Sequence, residues 1–353
     1  MNPDDPPIPF LVPMEQKGHY EFCCDNSTKE LFETCARAAQ YYAVDRRQGV
    51  GERASLHRGS VAHGALAIRK LRATEDFEPL QIKFILDEYA NKDFGPDEWR
   101  TAEHLINTIR GYNKQWPIES EPFTVLTDGD EPVVEKPFKL LLGHADMSGA
   151  GVMTHDGPVN IDVVHIYWTG RLDALVHYGV PLVMDAKTTA VLGQNFYDDF
   201  WLSSQMLGYV WAARAMGYPC DGLFLDVLAG RKPTKTGIAY EFQRQRYHYK
   251  QEHLDEWETD TFTLITDFLE HLRRGYFPKS PKWCFGKFGR CQYWDICTQV
   301  PSNRKTMLQS DLYRNVTFSP LQDNHNITKY LHDTNNNSDG TGTVCGQSSP
   351  MVL

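Results

Sequence analysis

Short apolar runs alternate with longer amphipathic stretches through the middle of the chain, a pattern that predicts an α/β fold with a mixed central sheet flanked by helices. Strand-length runs fall at 137–142, 163–168, 181–186, 222–228 and 238–247. Helical spacing governs the stretch that opens on Arg58-Gly59-Ser60-Val61-Ala62-His63, and those at 87–111, 196–216 and 255–273. A further helix is expected to start at Ser27, whose hydroxyl pairs with Glu30 as a capping box. The runs at 163–168 and 181–186 are separated by Tyr178-Gly179, which predicts a tight hairpin.

The chemistry sits on that hairpin. Gly170-Arg171-Leu172-Asp173 is followed, eleven residues later, by Asp185-Ala186-Lys187. Side chains alternate across a strand, so Asp185 and Lys187 share one face with Ala186 on the other, and the hairpin brings Asp173 beside them. Two carboxylates and an ammonium then converge. Hard divalent cations such as Mg²⁺ or Mn²⁺ take oxygen ligands, and an ammonium beside them can orient water or neutralise charge growing on a phosphate. Two solvated strand ends would give the same letters, so the neighbours matter. His63 is placed on the inner face of its helix, and Gln205 and Tyr209 lie one turn apart on another helix, on a stripe facing the hairpin.

In this order, His63, Asp173, Asp185, Lys187, Gln205 and Tyr209 resemble the RecB-like branch of the PD-(D/E)XK nucleases, and in particular its iron–sulfur members. The likeness spans roughly residues 27–297, with Glu135-Lys136-Pro137-Phe138 similar to the family's strand before the metal-binding hairpin. It implies a restriction-endonuclease-like fold. It also implies that His63, Asp173 and Asp185 bind Mg²⁺ or Mn²⁺, that Lys187 orients water, and that Gln205 and Tyr209 position Lys187 and the strand.

Cysteines supply a second signal. Cys284, Cys291 and Cys297 form C-x6-C-x5-C, with Cys35 far upstream. One distant cysteine and three clustered ones resemble the ligand set of a [4Fe–4S] cluster in the iron–sulfur members, where they clasp the two ends of the domain. Zn²⁺ on four thiolates is the main competitor, although structural zinc sites use closer spacing. Cys23 or Cys24 is an alternative fourth ligand; Cys220 reads as a buried thiol and Cys345 lies in the tail.

Charge changes the picture of the partner. The net charge of −10 argues against tight, indiscriminate binding to a polyanion, so any DNA contact must be local. Between His271 and Trp294 stand six basic residues and no acid, Arg273, Arg274 and Lys282 among them, interleaved with aromatics. Such a segment can follow phosphates while aromatic faces stack bases; Arg244 and Arg246, on one face of the 238–247 strand, would extend it. The expected organisation is a proline-rich arm over 1–20, a nuclease domain over 21–303 with an insertion around 87–160, and a polar tail over 304–353. The expected function is metal-dependent exonuclease action on DNA ends or single strands, alongside a helicase or a recombination or integrase partner, in a bacterial or phage-encoded cytoplasmic protein with no membrane association. The alternative is a non-catalytic DNA-end-binding or scaffold subunit with the same fold, and RNA is a possible substrate.

Overall fold

The computed structural model describes residues 11–316 with 321, 327, 329 and 330, apart from 52, 73–76, 155–156, 191, 235–238 and 287–288. Half of the proline-rich arm, nearly all of the tail beyond 316 including Cys345, and Lys287 in the basic segment lie outside the described residues.

A mixed sheet forms the centre. Strand β1 (His19–Cys24) runs parallel to β3 (Gly157–Tyr178), which is antiparallel to both β2 (Val134–Thr154) and β4 (Val180–Thr189). Strand β4 is parallel to β5 (Gly222–Gly230), and β5 is antiparallel to β6 (Tyr240–His248). On one face pack α1 (Asn26–Thr34), α5 (Ser204–Ala215) and α6 (Gln251–Arg274). The other face carries α2 (Ala54–Arg72), α3 (Phe77–Tyr89) and α4 (Ala102–Gln115). The 87–160 stretch supplies α4 to the second core and β2 to the sheet.

Strand β5 shows how the sequence selects this arrangement. Leu223, Leu225 and Val227 point into the first core and Phe224 and Leu228 into the second, so all nine residues of the strand are buried. Each such side chain contributes about 1.5–3 kcal/mol when buried, which makes a two-sided strand the best use of an uninterrupted apolar run. The one charge in it, Asp226, must then be satisfied inside the protein. Arg244, its partner across β6, donates from Nε to Asp226 (3.2 Å) and pairs with Glu121 (2.7 Å), while Tyr112 Oη also bonds Asp226. The Arg244 guanidinium lies over Trp116 (4.4 Å from the ring centre) and its side chain is only 6% exposed.

The expected hairpin is present: Tyr178 pairs with Val180 across Gly179, whose φ of +76° suits a residue without Cβ. Two local expectations change. The cap of helix α1 lies two residues before the Ser27 that the capping box implied: Asp25 is the cap and accepts from Thr28 N (2.9 Å). The 196–216 stretch is not one helix. A short helix and a 3₁₀ turn end at Trp201, and α5 starts afresh at Ser204.

The two ends of the described chain are stitched together. Residues 47–49 pair with 313–315 as a small antiparallel ladder. Arg37 Nε donates to Phe277 O (2.7 Å), Tyr293 Oη to Arg47 O (2.7 Å), and Gly49 N to Gln292 Oε1 (2.8 Å). Ala38, Tyr41, Tyr293, Ile296, Leu308 and Tyr313 form a small third core at this junction.

Candidate active site

Asp173 lies inside β3 rather than at a strand end, because β3 runs unbroken from Gly157 to Tyr178. Gly170 permits the approach around it. A Cβ at that position would stand 2.6 Å from the Phe138 ring and 3.3 Å from the Tyr209 ring, so only glycine lets β2 and α5 close over the strand. From the neighbouring strand, Ala186 N donates to Asp173 Oδ2 (2.9 Å). This fixes the carboxylate against β4, the strand that carries Asp185 and Lys187. Helix α2 crosses above and places His63 Nδ1 2.9 Å from the same Asp173 oxygen. Lys187 Nζ stands 2.7 Å from Asp185 Oδ2, with the Lys187 side chain 24% exposed and that of Asp185 2%. The ammonium therefore joins a buried carboxylate to solvent.

The electrostatics follow from burial and crowding. Burial works to raise the Asp173 carboxyl, but the adjacent His63 overrides it and holds the group well below the usual carboxylate range. Reciprocally, burial disfavours charge on His63, yet Asp173 raises its pKa above the ordinary imidazole value. Asp185 moves upward, because burial and the Asp173 charge outweigh Lys187. Its Oδ2 is met by the Lys187 ammonium. A buried carboxylate oxygen is a place where a cation belongs.

Gln205 Nε2 donates to Tyr209 Oη (3.1 Å) on α5. The Tyr209 hydroxyl is raised well above its usual range by burial and by the nearby charges of Asp185 and Asp173. The structure thus brings His63, Asp173, Asp185, Lys187 and Tyr209 into one cluster, with Gln205 behind.

One residue of this cluster was not legible as a site residue. Glu135, in the Glu135-Lys136-Pro137-Phe138 segment, has its carboxyl raised to about 7 by burial and then by Asp173. Arg171 holds its backbone, donating to Glu135 O (2.9 Å), and the residue has a φ of +50°, unusual for a side chain with Cβ. Neither the left-handed backbone nor the approach to Asp173 has a sequence signature. A third carboxylate beside two others sharpens the local demand for positive charge.

The cysteines come together by a different route. A two-strand turn, Phe285–Gly286 with Gly289–Arg290, closes Cys284 onto Cys291, whose N–H donates to Cys284 O (2.9 Å). Cys297 ends a one-turn helix beside it. Cys35, Cys291 and Cys297 all pack on the third core. The Cys291 thiol is raised by burial and then by Cys284 and Cys35, and that of Cys297 by burial and then by Cys291 and Cys35. The alternatives lie elsewhere: Cys24 is buried within β1 and Cys23 is exposed, its neighbours being Lys139 and Glu21. Cys220 is buried, as expected. Among the described residues no three His, Cys, Asp or Glu side chains already enclose one point as a single bound ion requires.

The basic candidates divide. Arg244 is withdrawn from any surface by its buried pairing with Asp226 and Glu121, which corrects the expectation that it follows phosphates. Alternation put it on one face of β6 with Arg246, but that face meets the second core. Arg246 is exposed at the margin, over the Tyr178 ring (4.6 Å). Arg273 and Arg274 are exposed and both pair with Glu270, an acid just outside the segment that looked free of acids. Lys282 is exposed beside the Trp283 ring (5.6 Å).

No family model and no curated protein matches this chain. Among solved structures, it is similar to a provisionally named exonuclease from Eubacterium rectale at 13% identity and a TM-score of 0.44, over 78% of this chain and 88% of that one. A second, SSO0001, matches at 11% identity and a TM-score of 0.25, over 71% of this chain and 78% of that one. At such values neither likeness carries an inference about what this chain does. No helix among the described residues is long and apolar enough to cross a membrane.

Proposed function

We propose that the chain is a divalent-metal-dependent deoxyribonuclease of the RecB-like PD-(D/E)XK type, acting as an exonuclease on DNA ends or single strands. The observation that carries this reading is that the His63–Asp173 pair (2.9 Å) and the Asp185–Lys187 pair (2.7 Å) stand side by side, tied by the bond from Ala186 N to Asp173. The donor types suit a hard cation, with two buried aspartates and Glu135 close to Asp173, and an ion would have to draw them together, since among the described residues no three such side chains already enclose one point. Asp173, Asp185 and His63 would hold the ion, with Glu135 as a further carboxylate in reach. When bound, Mg²⁺ or Mn²⁺ supplies Lewis acidity toward a phosphate oxygen and toward the attacking water.

The chain's own residues do the rest. Lys187 is partly exposed, so it meets the incoming phosphodiester, orients water and opposes charge growing on the phosphate. Tyr209, protonated and held by Gln205, orients the Asp185 and Lys187 pair from below. The exposed Arg273, Arg274, Lys282 and Arg246 are available to a strand, and a helicase or recombination partner would supply unwinding.

The reading includes a [4Fe–4S] cluster on Cys35, Cys284, Cys291 and Cys297. Four thiolates serve either [4Fe–4S] or Zn²⁺, and colour separates the two.

End-labelled single- and double-stranded DNA, incubated with and without Mn²⁺, tests the activity. Asp185→Ala and Lys187→Ala should each remove cleavage, by at least about a hundredfold, while leaving DNA binding in place. Wild-type-like digestion by either variant overturns the assignment, and binding without any cleavage by the unaltered chain points to the scaffold role instead.

A further inference from the structure

A cavity of about 550 Å³ lies at the junction of the two chain ends, and none of its walls belongs to the cluster around Asp173. Arg37, Arg47, Arg304 and Lys305 line it against a single acid, Asp45. In a chain whose net charge is −10, a wall with three positive charges in excess is a local reversal of sign. The arginines are held in place: Arg37 donates from Nε to Phe277 O (2.7 Å) and Arg304 from Nε to Gln299 O (3.1 Å). Each bond uses one edge of the guanidinium and leaves the terminal amino groups for another acceptor.

Tyr41 also lines the cavity, and it is 3% exposed. Arg37 lies within reach of its hydroxyl oxygen, Arg304 is close by, and no acceptor for its O–H is present among the described residues. A buried hydroxyl whose proton has no acceptor, beside two cations, is placed to donate to an anion. The opposite wall is apolar, made by Val44, Leu272, Phe277 and Leu308. The volume falls within the roughly 300–1,000 Å³ of small-molecule sites, and such sites combine an apolar wall with a few convergent polar groups.

We infer that this cavity is a nucleotide-binding site, in which Arg37, Arg47, Arg304 and the Tyr41 hydroxyl take the phosphate and the apolar wall takes the sugar and base. The site stands independently of the nuclease reading. Its nucleotide is either free or the 5′-terminal residue of a strand.

Calorimetric titration of the full chain in EDTA tests this, with deoxyadenosine 5′-monophosphate, deoxyadenosine and inorganic phosphate as probes. The monophosphate should bind at least about tenfold more tightly than either part alone. Arg47→Gln and Arg304→Gln should each weaken it about tenfold, the loss of one charge-assisted hydrogen bond. Tyr41→Phe removes a single oxygen and should weaken it several-fold with the melting temperature maintained, which keeps the test informative if an arginine variant folds badly. Competition by a 5′-phosphorylated oligonucleotide, but not by its 5′-hydroxyl counterpart, assigns the site to a strand end; competition by neither assigns it to the free nucleotide. Absence of monophosphate binding, binding no tighter than inorganic phosphate, or binding unchanged in all three variants overturns the proposal.

Discussion

At the scale of single residues, the cluster stores electrostatic tension that its surroundings hold in place. Asp173 is held ionised by His63, whereas Glu135 beside it is raised to about 7. A carboxyl whose folded pKa exceeds its unfolded value contributes stability that is complete below the unfolded value, about 4.5, and is lost as pH rises through about 7. Glu135→Gln, measured in EDTA, should therefore raise the melting temperature at pH 8, and the advantage should shrink toward pH 5. The same variant should lower cleavage, since it removes a carboxylate that faces the ion site. A variant whose stability gain is equal at both pH values would show that Glu135 is not strained by its neighbours. The sequence revealed Asp173, Asp185 and Lys187 because strand alternation and the tight turn at Gly179 fix their relation locally. It could not reveal Glu135, whose place depends on a left-handed backbone and on Arg171 reaching its carbonyl.

At the scale of elements, the sheet was legible and the roles of its polar side chains less so. Apolar runs announced β2, β3, β4, β5 and β6, since a strand buried on one or both faces carries its environment in its own letters. Arg244 did not, because alternation says which residues share a face and not what covers that face. Here it is covered by Tyr112, Trp116 and Phe123, so the guanidinium is interior. Arg244→Ala would leave Asp226 without its cation and Glu121 with Arg69 alone, and breaking a buried pair from one side costs about 3–5 kcal/mol. Urea unfolding should show a loss of that order; a loss under about 1 kcal/mol would contradict the interior placement. Gly170→Ala probes the contact between β3 and α5. The added methyl meets Phe138, and overpacking costs about 1–3 kcal/mol, so stability should fall together with cleavage as Tyr209 is displaced.

At the scale of the whole molecule, the proposed cysteine cluster would tie chemistry that is not catalytic to integrity. If Cys35, Cys284, Cys291 and Cys297 hold [4Fe–4S], anaerobically purified protein is brown with broad visible absorption, whereas Zn²⁺, with a filled d shell, leaves it colourless. Cys284→Ala should then bleach the protein and speed proteolysis of the segment after residue 277, with no direct effect on phosphodiester chemistry. A colourless, metal-free chain that resists protease equally well after that substitution would leave the four as ordinary half-buried thiols.

The ladder between residues 47–49 and 313–315 also sets a schedule for synthesis. A ribosome extends a chain at about 5–20 residues per second, so roughly ten to fifty seconds separate the emergence of Tyr41 from that of its packing partners Tyr293 and Tyr313. Throughout that interval the first segment is a wet, sticky thread. The ring stacking and backbone bonds that shelter it form only once the last strand has left the exit tunnel. Nascent chains arrested before residue 316 should therefore be cut by protease near residues 35–50, while those arrested well beyond it should survive, which makes this protein's maturation vectorial: its beginning is finished last.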